Sequence, residues 1–277
     1  MGGSASYRLA KKIARAIQDG APQSEIDELE RRRQEAREAE RQKRLAAKQP
    51  PAEKTFKDRI NDTQTKEEFA SVMRERYGNK AVSDDFINRT ELSMAKRVMG
   101  VISDLEARYP FMEGFIKKFD IRNDAIAAMR QDGTLTLNPV FWEMKDNPVL
   151  YESSYNTPNS TPEATIAHEF GHAIHNYYFN WMREGNLTFL ELSKLYKKRL
   201  SGEFLNDVWK LAKKKAHVKS KDALLSGISR YAKTNVMEGF AEAFADVYSN
   251  GDNASNNSKA YVEAMFETLE SQYGIKA

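Results

Sequence analysis

The segment TIAHEFGHAIHN, from Thr165 to Asn176, carries two histidines four residues apart and a glutamate directly after the first. On an α-helix, residues four apart lie on one face, so His168 and His172 can each direct an imidazole nitrogen at the same ion. Imidazole binds Zn²⁺ at about 2.0–2.1 Å. Zinc lowers the pKa of bound water to ~7, so the adjacent Glu169 suffices as its base. The pattern predicts a water-activating metal centre, although an ordinary helix with two histidines also fits five residues alone.

A third metal ligand must come from elsewhere in the chain. One class of zinc site adds glycine three residues and histidine six residues after the second motif histidine. Those positions hold His175 and Tyr178 here, which excludes that class. The later segment SRYAKTNVMEGFAEAFADVY supplies Glu238 and Glu242, four apart on one face of an otherwise small and aromatic helix. Two carboxylates on so apolar a helix are costly to bury without a cation.

Glu238 also has a second explanation, since Asn235 followed by glutamate at the third helical position resembles a capping box. Capping leaves Glu242 unexplained, whereas a metal site explains both carboxylates. We therefore predict that Glu238 binds Zn²⁺ and that Glu242 accepts the free N–H of a ligating histidine. The chain has no cysteine, so the ligands must be His, Asp or Glu.

The flanking sequence predicts how these residues are positioned, in an α+β, mostly helical domain with a small β-sheet or hairpin. Thr161 and Pro162 are a typical N-cap and first residue for the metal-binding helix. The pair Asp132-Gly133 between short apolar stretches indicates a hairpin, and its second strand, with Thr134, Leu135, Thr136 and Leu137, alternates as if one face were wet. Helices are predicted over 83–109 (one long helix), 162–182, 187–217 with a break near Gly202, 222–232, 235–249 and 256–273.

The N-terminal part of the chain differs from the rest in charge. Residues 1–55 contain 13 Lys or Arg and 9 Asp or Glu, a net charge of +4, whereas the remainder carries −1. Two helices with few large apolar residues are predicted there, ended by Pro50 and Pro51. We predict an exposed charged helical arm and linker over 1–54, able to dock a partner protein, and a catalytic domain over 55–277. A nucleic-acid arm is disfavoured because nearby acids match its basic residues.

Two blocks of the chain resemble a known family. HEFGHAIHNYY and SRYAKTNVMEGFAEAFADVY are similar to the catalytic domain of anthrax lethal factor-like zinc endopeptidases, a branch of the gluzincins. That family has a HEFGH helix and then the pattern Tyr-x-x-Thr-Asn-x-x-Glu-x-Phe-Ala-Glu-x-Phe. The resemblance covers about Asp124 to Tyr273, and its specificity lies in the two short blocks. A compact catalytic domain behind a charged helical arm also resembles the peptidase domains carried in phage head-associated or effector proteins, by architecture alone.

The resemblance implies a zincin-like fold and a zinc metalloendopeptidase activity on a protein or peptide substrate. His168, His172 and Glu238 take the ligand positions and Glu169 that of the base. Tyr231 matches the tyrosine that donates a hydrogen bond to the oxyanion, and Glu242 the carboxylate behind the ligands. Tyr231 can instead be an ordinary core tyrosine. The substrate backbone is expected to add antiparallel to an open strand edge, at Thr134, Leu135, Thr136 and Leu137.

Other histidines and lysines are weaker candidates. We interpret His175 as a partly exposed helix residue rather than part of the cleft. The stretch WKLAKKKAHVKSKD, with His217, and a second group of basic residues (Lys194, Lys197, Lys198 and Arg199) are interpreted as solvated helix faces. Binding of an acidic substrate or nucleic acid is the alternative for these lysines.

Two functions of other classes remain open from the sequence. One is a structural or assembly protein, phage- or effector-associated, that uses zinc as a staple without catalysis. The other is a nucleic-acid-binding accessory protein led by the basic arm. No apolar run reaches the length of a membrane span, and no signal peptide is recognisable. These features predict a cytoplasmic protein or one delivered in a phage or effector particle.

Overall fold

The chain divides into two compact units, Met1–Glu53 and Lys54–Ala277. The larger unit is mostly helical and contains one three-stranded sheet, which agrees with the predicted α+β class. None of the helices that the structure describes is long and apolar enough to cross a lipid bilayer. The predicted linker around Pro50 and Pro51 lies outside the described residues. The computed structural model describes residues 5–46, 54–122, 126–138, 161–183 and 188–274.

The N-terminal unit consists of two helices that contact each other, α1 (Ala5–Gln18) and α2 (Gln23–Ala46). Most of the α2 surface is charged and exposed. Arg31 forms ion pairs with Glu28 and Glu35 at helical spacing. Exposed pairs of this kind contribute little to stability because solvent screens them, so they support the helix locally without forming a core.

The helices of the larger unit surround one continuous apolar core. The most extensive contact in this unit joins the helix Pro162–Arg183, which carries the two histidines, to the helix Val236–Asn250, which carries Glu238. The helices are α3 (Phe56–Asp62), α4 (Lys66–Tyr77), α5 (Asp84–Arg89), α6 (Leu92–Arg108), α7 (Pro162–Arg183), α8 (Phe189–Ser201), α9 (Asn206–Ala216), α10 (Lys221–Ser226), α11 (Val236–Asn250) and α12 (Asn256–Tyr273).

The long helix predicted from Ser83 is in fact two helices, α5 and α6. Ser83 does cap the first, since its Oγ accepts the Phe86 N–H at 3.1 Å. The helical path then ends at Thr90, which has extended backbone angles. Glu91 begins α6 by accepting the Met94 N–H at 2.8 Å. A glutamate acting as an N-cap is not among the usual capping residues, so the sequence pattern concealed this break.

The helix predicted over 222–232 also ends early, at Ser226. Asn257 of α12 donates its side-chain amide to the carbonyl oxygens of Ala223 and Leu224, at 3.1 and 2.8 Å, and so satisfies the end of α10. A Cβ atom at Gly227 would lie 2.1 Å from that amide nitrogen, so a larger residue there would displace the Asn257 side chain from the end of α10. The chain then forms a short 3₁₀ turn, Tyr231–Lys233, before α11 begins.

The sheet contains β1 (Lys118–Ile121), β2 (Ala127–Met129) and β3 (Thr134–Leu137), in the order β1-β3-β2. The predicted hairpin is confirmed, because β2 and β3 pair antiparallel across the turn at Gly133. Gly133 has a φ of +84°, and a Cβ atom there would lie 2.2 Å from the Phe115 carbonyl oxygen.

The predicted role of β3 as an open edge is wrong. Strand β1 was not expected, and it pairs parallel with β3 along its full length. Thr134, Leu135, Thr136 and Leu137 therefore form the central strand, and all four residues are buried, so β3 has no wet face. The parallel partner lies more than ten residues earlier, and local alternation in β3 contains no sign of it.

Candidate metal centre

The crossing of α7 and α11 positions the site. A Cβ atom on Gly171 would lie 2.8 Å from the Cα of Ala241 and 3.2 Å from the Cβ of Phe244, so the two helices approach closely only because position 171 is glycine. The N-termini of both helices are capped. Thr161 accepts the Ala164 N–H at 3.1 Å, and Asn235 accepts the N–H groups at the start of α11.

Three side chains converge at this crossing, as a metal ion requires. Glu238 Oε2 lies 3.0 Å from His168 Nε2 and 3.2 Å from His172 Nε2. All three ligand atoms lie within 4.8 Å of one another. Donors around a tetrahedral zinc at ~2.0–2.1 Å are about 3.3 Å apart, so a small adjustment suffices. The donor set of two imidazoles and a carboxylate therefore fits Zn²⁺. The helix is capped by the side chain of Asn235, which accepts the backbone N–H of Glu238 at 3.0 Å, while the Glu238 carboxylate contacts the two histidines.

The electrostatics of the cluster favour a cation. Burial lowers the pKa of His168, but hydrogen bonds to Glu238 and Glu242 and the nearby charge of Glu169 raise it further, to about 10. Burial likewise raises the pKa of Glu238, yet the hydrogen bonds with His168 and His172 outweigh it and hold that pKa far below its usual range. The short contact between His168 Nε2 and the Glu238 carboxylate is therefore a place that favours positive charge, either a proton or a metal cation.

Glu242 is hydrogen-bonded to the nitrogen of the His168 ring that does not face Glu238. Its Oε1 accepts a hydrogen bond from His168 Nδ1 at 2.8 Å, and its carboxylate is only 2% exposed. This bond directs Nε2 of the same ring towards Glu238. A carboxylate behind a ligating histidine is a common arrangement that orients the ring and raises its basicity.

Glu169 lies beside the ligand pair without belonging to the three-ligand group. The side chain is 5% exposed, and its Oε2 accepts the backbone N–H of Met129 at 2.6 Å. This bond joins β2 to α7 and restricts the carboxylate. A base that is held in place in this way loses little freedom when it takes up a proton from water.

Tyr231 reaches the site from the 3₁₀ turn before α11. Its ring stacks on that of His168, with centroids 6.0 Å apart and planes at 25°. Burial and the carboxylates of Glu238, Glu169 and Glu242 raise the pKa of Tyr231 to about 12. The phenol is therefore protonated at neutral pH, and its hydroxyl is hydrogen-bonded to the carboxylate of Glu238. The structure thus brings together all the residues assigned to metal binding and catalysis, and leaves Thr134–Leu137 in the central strand.

Sequence reasoning missed two groups at the site. One is the backbone N–H of Met129, which no side-chain pattern reveals. The other is Ser229, whose hydroxyl donates to Glu242 Oε2 at 2.8 Å. Ser229 is the first residue of the block SRYAKTN. A serine hydroxyl often accepts the backbone N–H three residues later, here that of Ala232, and this local pattern could have singled it out.

The weaker candidates lie outside the ligand group. His175 is fully buried on α7, so the expectation of a partly exposed residue is wrong. Other elements of the fold pack against α7, including the face that carries His175. In the lysine-rich stretch, Lys215 pairs with Glu263 and Glu267 of α12, and Lys221 lies over the ring of Trp209 at 3.9 Å.

Comparisons of the chain with protein-family models, with curated proteins and with solved structures found no match. The chemistry of the site is therefore inferred from its geometry.

Proposed function

We propose that the chain is a zinc-dependent endopeptidase of the gluzincin type, with a zincin-like catalytic domain. The observation that carries the proposal is the position of Glu238, whose carboxylate contacts both histidines of α7 although it lies 70 positions after His168. Glu169 and Tyr231 flank the same cluster. A metal ligand set, a base and a protonated hydroxyl that can donate a hydrogen bond, all at one point, are what hydrolysis of a peptide bond needs.

His168, His172 and Glu238 would hold the Zn²⁺, which when bound polarises a carbonyl and makes water acidic. Glu169 then takes a proton from the attacking water and later delivers it to the leaving amine. Its Oε2 is bonded to the Met129 N–H, so we assign Oε1 to the water. Tyr231 donates a hydrogen bond to the oxyanion that develops on the substrate.

The substrate backbone is assigned to β2 rather than to β3. Within the part of the chain that the structure describes, β2 has a strand partner on one side only, and it contacts α7. An extended peptide that adds to this edge lies directly beside Glu169, because Met129 bonds to that carboxylate. Ala127–Met129 therefore replaces Thr134–Leu137 as the proposed strand for a protein or peptide substrate.

The number of ligands favours catalysis over a structural staple. The metal-binding group among the described residues has three members. Structural zinc sites are generally closed by four protein ligands, whereas catalytic sites have three and leave a position for water. The zinc-staple and nucleic-acid alternatives are not favoured by any comparable feature of the described residues.

Metal analysis combined with a peptide-library screen tests the proposed function. We expect about one zinc per chain and cleavage of library peptides by the full-length protein. A chelator should stop cleavage and added Zn²⁺ should restore it, because the base acts only on metal-activated water. Zinc that is bound without any cleavage would favour the structural alternative, and a chain that binds no zinc would contradict the proposal.

The hydroxyl of Tyr231 is expected to act in turnover rather than in metal binding. Tyr231→Phe should lower kcat by about 10²–10³-fold, the usual effect of removing one oxyanion donor, with KM and zinc content nearly unchanged. Steady-state kinetics measures kcat and KM, and metal analysis measures the zinc content. Tyr248→Phe, on the far part of α11, is the matched control and should behave as wild type. An unchanged kcat in Tyr231→Phe would show that this residue is an ordinary packing tyrosine.

A further inference from the structure

We propose that Ser229 is a positioning residue that joins the Tyr231 turn to the metal ligand His168 through Glu242. The inference rests on the proposed metal centre and adds a residue to it. Ser229 lies between α10 and the turn Tyr231–Lys233, and it is partly buried. Its hydroxyl is hydrogen-bonded to Glu242, which in turn is hydrogen-bonded to the ligand His168, so it acts on the ligand through another residue.

The hydroxyl of Ser229 makes two hydrogen bonds in opposite senses. It accepts the Ala232 N–H at 2.9 Å and donates to Glu242 Oε2 at 2.8 Å. The second direction is required because an ionised carboxylate can only accept. The other oxygen of Glu242 accepts from His168 Nδ1 at 2.8 Å. One carboxylate thus receives a donor from the metal ligand and a donor from the turn that carries Tyr231.

Burial makes this chain of hydrogen bonds consequential. Glu242 is 2% exposed, so water cannot easily replace a missing donor. A buried carboxylate that loses a hydrogen bond is left with an uncompensated desolvation cost, which favours rotation of the group towards another donor. Rotation weakens its hydrogen bond to His168 Nδ1 and releases the ring from the orientation that directs Nε2 at the metal. The Ala232 N–H loses its acceptor at the same time.

Ser220 provides a matched comparison within the same region. Its hydroxyl accepts the Ala223 N–H at 3.0 Å, as Ser229 accepts the Ala232 N–H, and it caps α10. Ser220 is exposed and is bonded to no residue of the metal group. Ser220→Ala therefore removes the local cap alone, whereas Ser229→Ala removes a cap and the bond to Glu242.

The experiment measures zinc affinity of the full-length protein by competition with a chelator, alongside steady-state cleavage. Ser229→Ala should weaken zinc binding by about 10–100-fold, as substitutions behind metal ligands typically do, and should lower kcat. Ser229→Thr keeps the hydroxyl and should stay close to wild type. Ser220→Ala should lower the melting temperature without changing zinc affinity. If Ser229→Ala does not fold, Ser229→Cys supplies a weaker donor and should show a smaller loss of affinity.

A double-mutant cycle separates positioning from general destabilisation. In the Glu242→Gln background, Ser229→Ala should cause little further loss of zinc affinity, because the two residues act through one contact. Wild-type zinc affinity in Ser229→Ala, or additive losses in the cycle, would overturn the proposal. If Ser229→Ala loses zinc affinity as expected but the wild-type protein cleaves no peptide, the positioning role of Ser229 is supported and only the proposed peptidase function is contradicted. Absence of zinc binding in the wild type would remove both.

Discussion

Glu169→Gln should leave zinc bound at the wild-type level and lower kcat/KM by about 10²–10⁴-fold, the usual contribution of a general base. Glutamine has nearly the same shape as glutamate but cannot take up a proton at neutral pH. Glu169 is not among the three ligating residues, so the metal should remain. The amide oxygen of glutamine can still accept the Met129 N–H, which preserves the contact between β2 and α7.

The control for this prediction lies on the same helix. Glu163, in the first turn of α7, forms an ion pair with Arg97 and is outside the metal group. Glu163→Gln removes the same charge from the same helix and should retain most of the activity. Both variants lose one negative charge from α7, so any difference between them in cleavage assays or metal analysis reflects the position of the residue. A Glu169→Gln protein that cleaves as fast as the wild type would show that the base is another group.

Glu238→Ala should weaken zinc binding by more than about 100-fold and abolish cleavage. Substitutions behind metal ligands alone typically cost ~10–100-fold, and the loss of a direct ligand should exceed this. The carboxylate of Glu238 is the group that both His168 Nε2 and His172 Nε2 contact, so the remaining pair offers only two donors. Helix α11 should stay intact, because Asn235 caps it through backbone N–H groups that alanine keeps.

Chelator competition on matched variants tests the ligand assignment. Glu267→Ala removes an exposed carboxylate from α12, where Lys215 retains Glu263 as a partner, and zinc affinity should not change. Circular dichroism should show similar helix content in both variants. Wild-type affinity in Glu238→Ala would mean that the third ligand is a different residue, and the mechanism would have to be rebuilt around it.

Much of the local structure was predictable from short stretches of sequence. Helix α7 begins where Thr161 and Pro162 indicate, and the hairpin turns at Gly133. The absence of cysteine limited the ligands to His, Asp and Glu before any fold was known. These features depend on residues within a few positions of one another, where capping, backbone freedom and side-chain type act directly.

Three of the errors share a different origin, in contacts with distant parts of the chain. Strand β1 pairs with β3 from more than ten residues away, and this parallel contact turned the expected open edge into a central strand. The side chain of Asn257, on α12, is hydrogen-bonded to the last turn of α10, and Tyr231 lies on the turn that follows. His175 became fully buried because other elements cover α7. Each outcome depends on a partner that no local periodicity contains.

The chemical groups could be read from the order of residues alone: the pair His168 and His172 on one helix face, the adjacent Glu169, and the two carboxylates of α11. That these groups lie together became known from the fold. The two helices cross closely at Gly171, and hydrogen bonds from Met129 and Ser229 reach Glu169 and Glu242 from other elements. Helical spacing sets which side chains share a face, whereas packing and buried hydrogen bonds determine which faces come together.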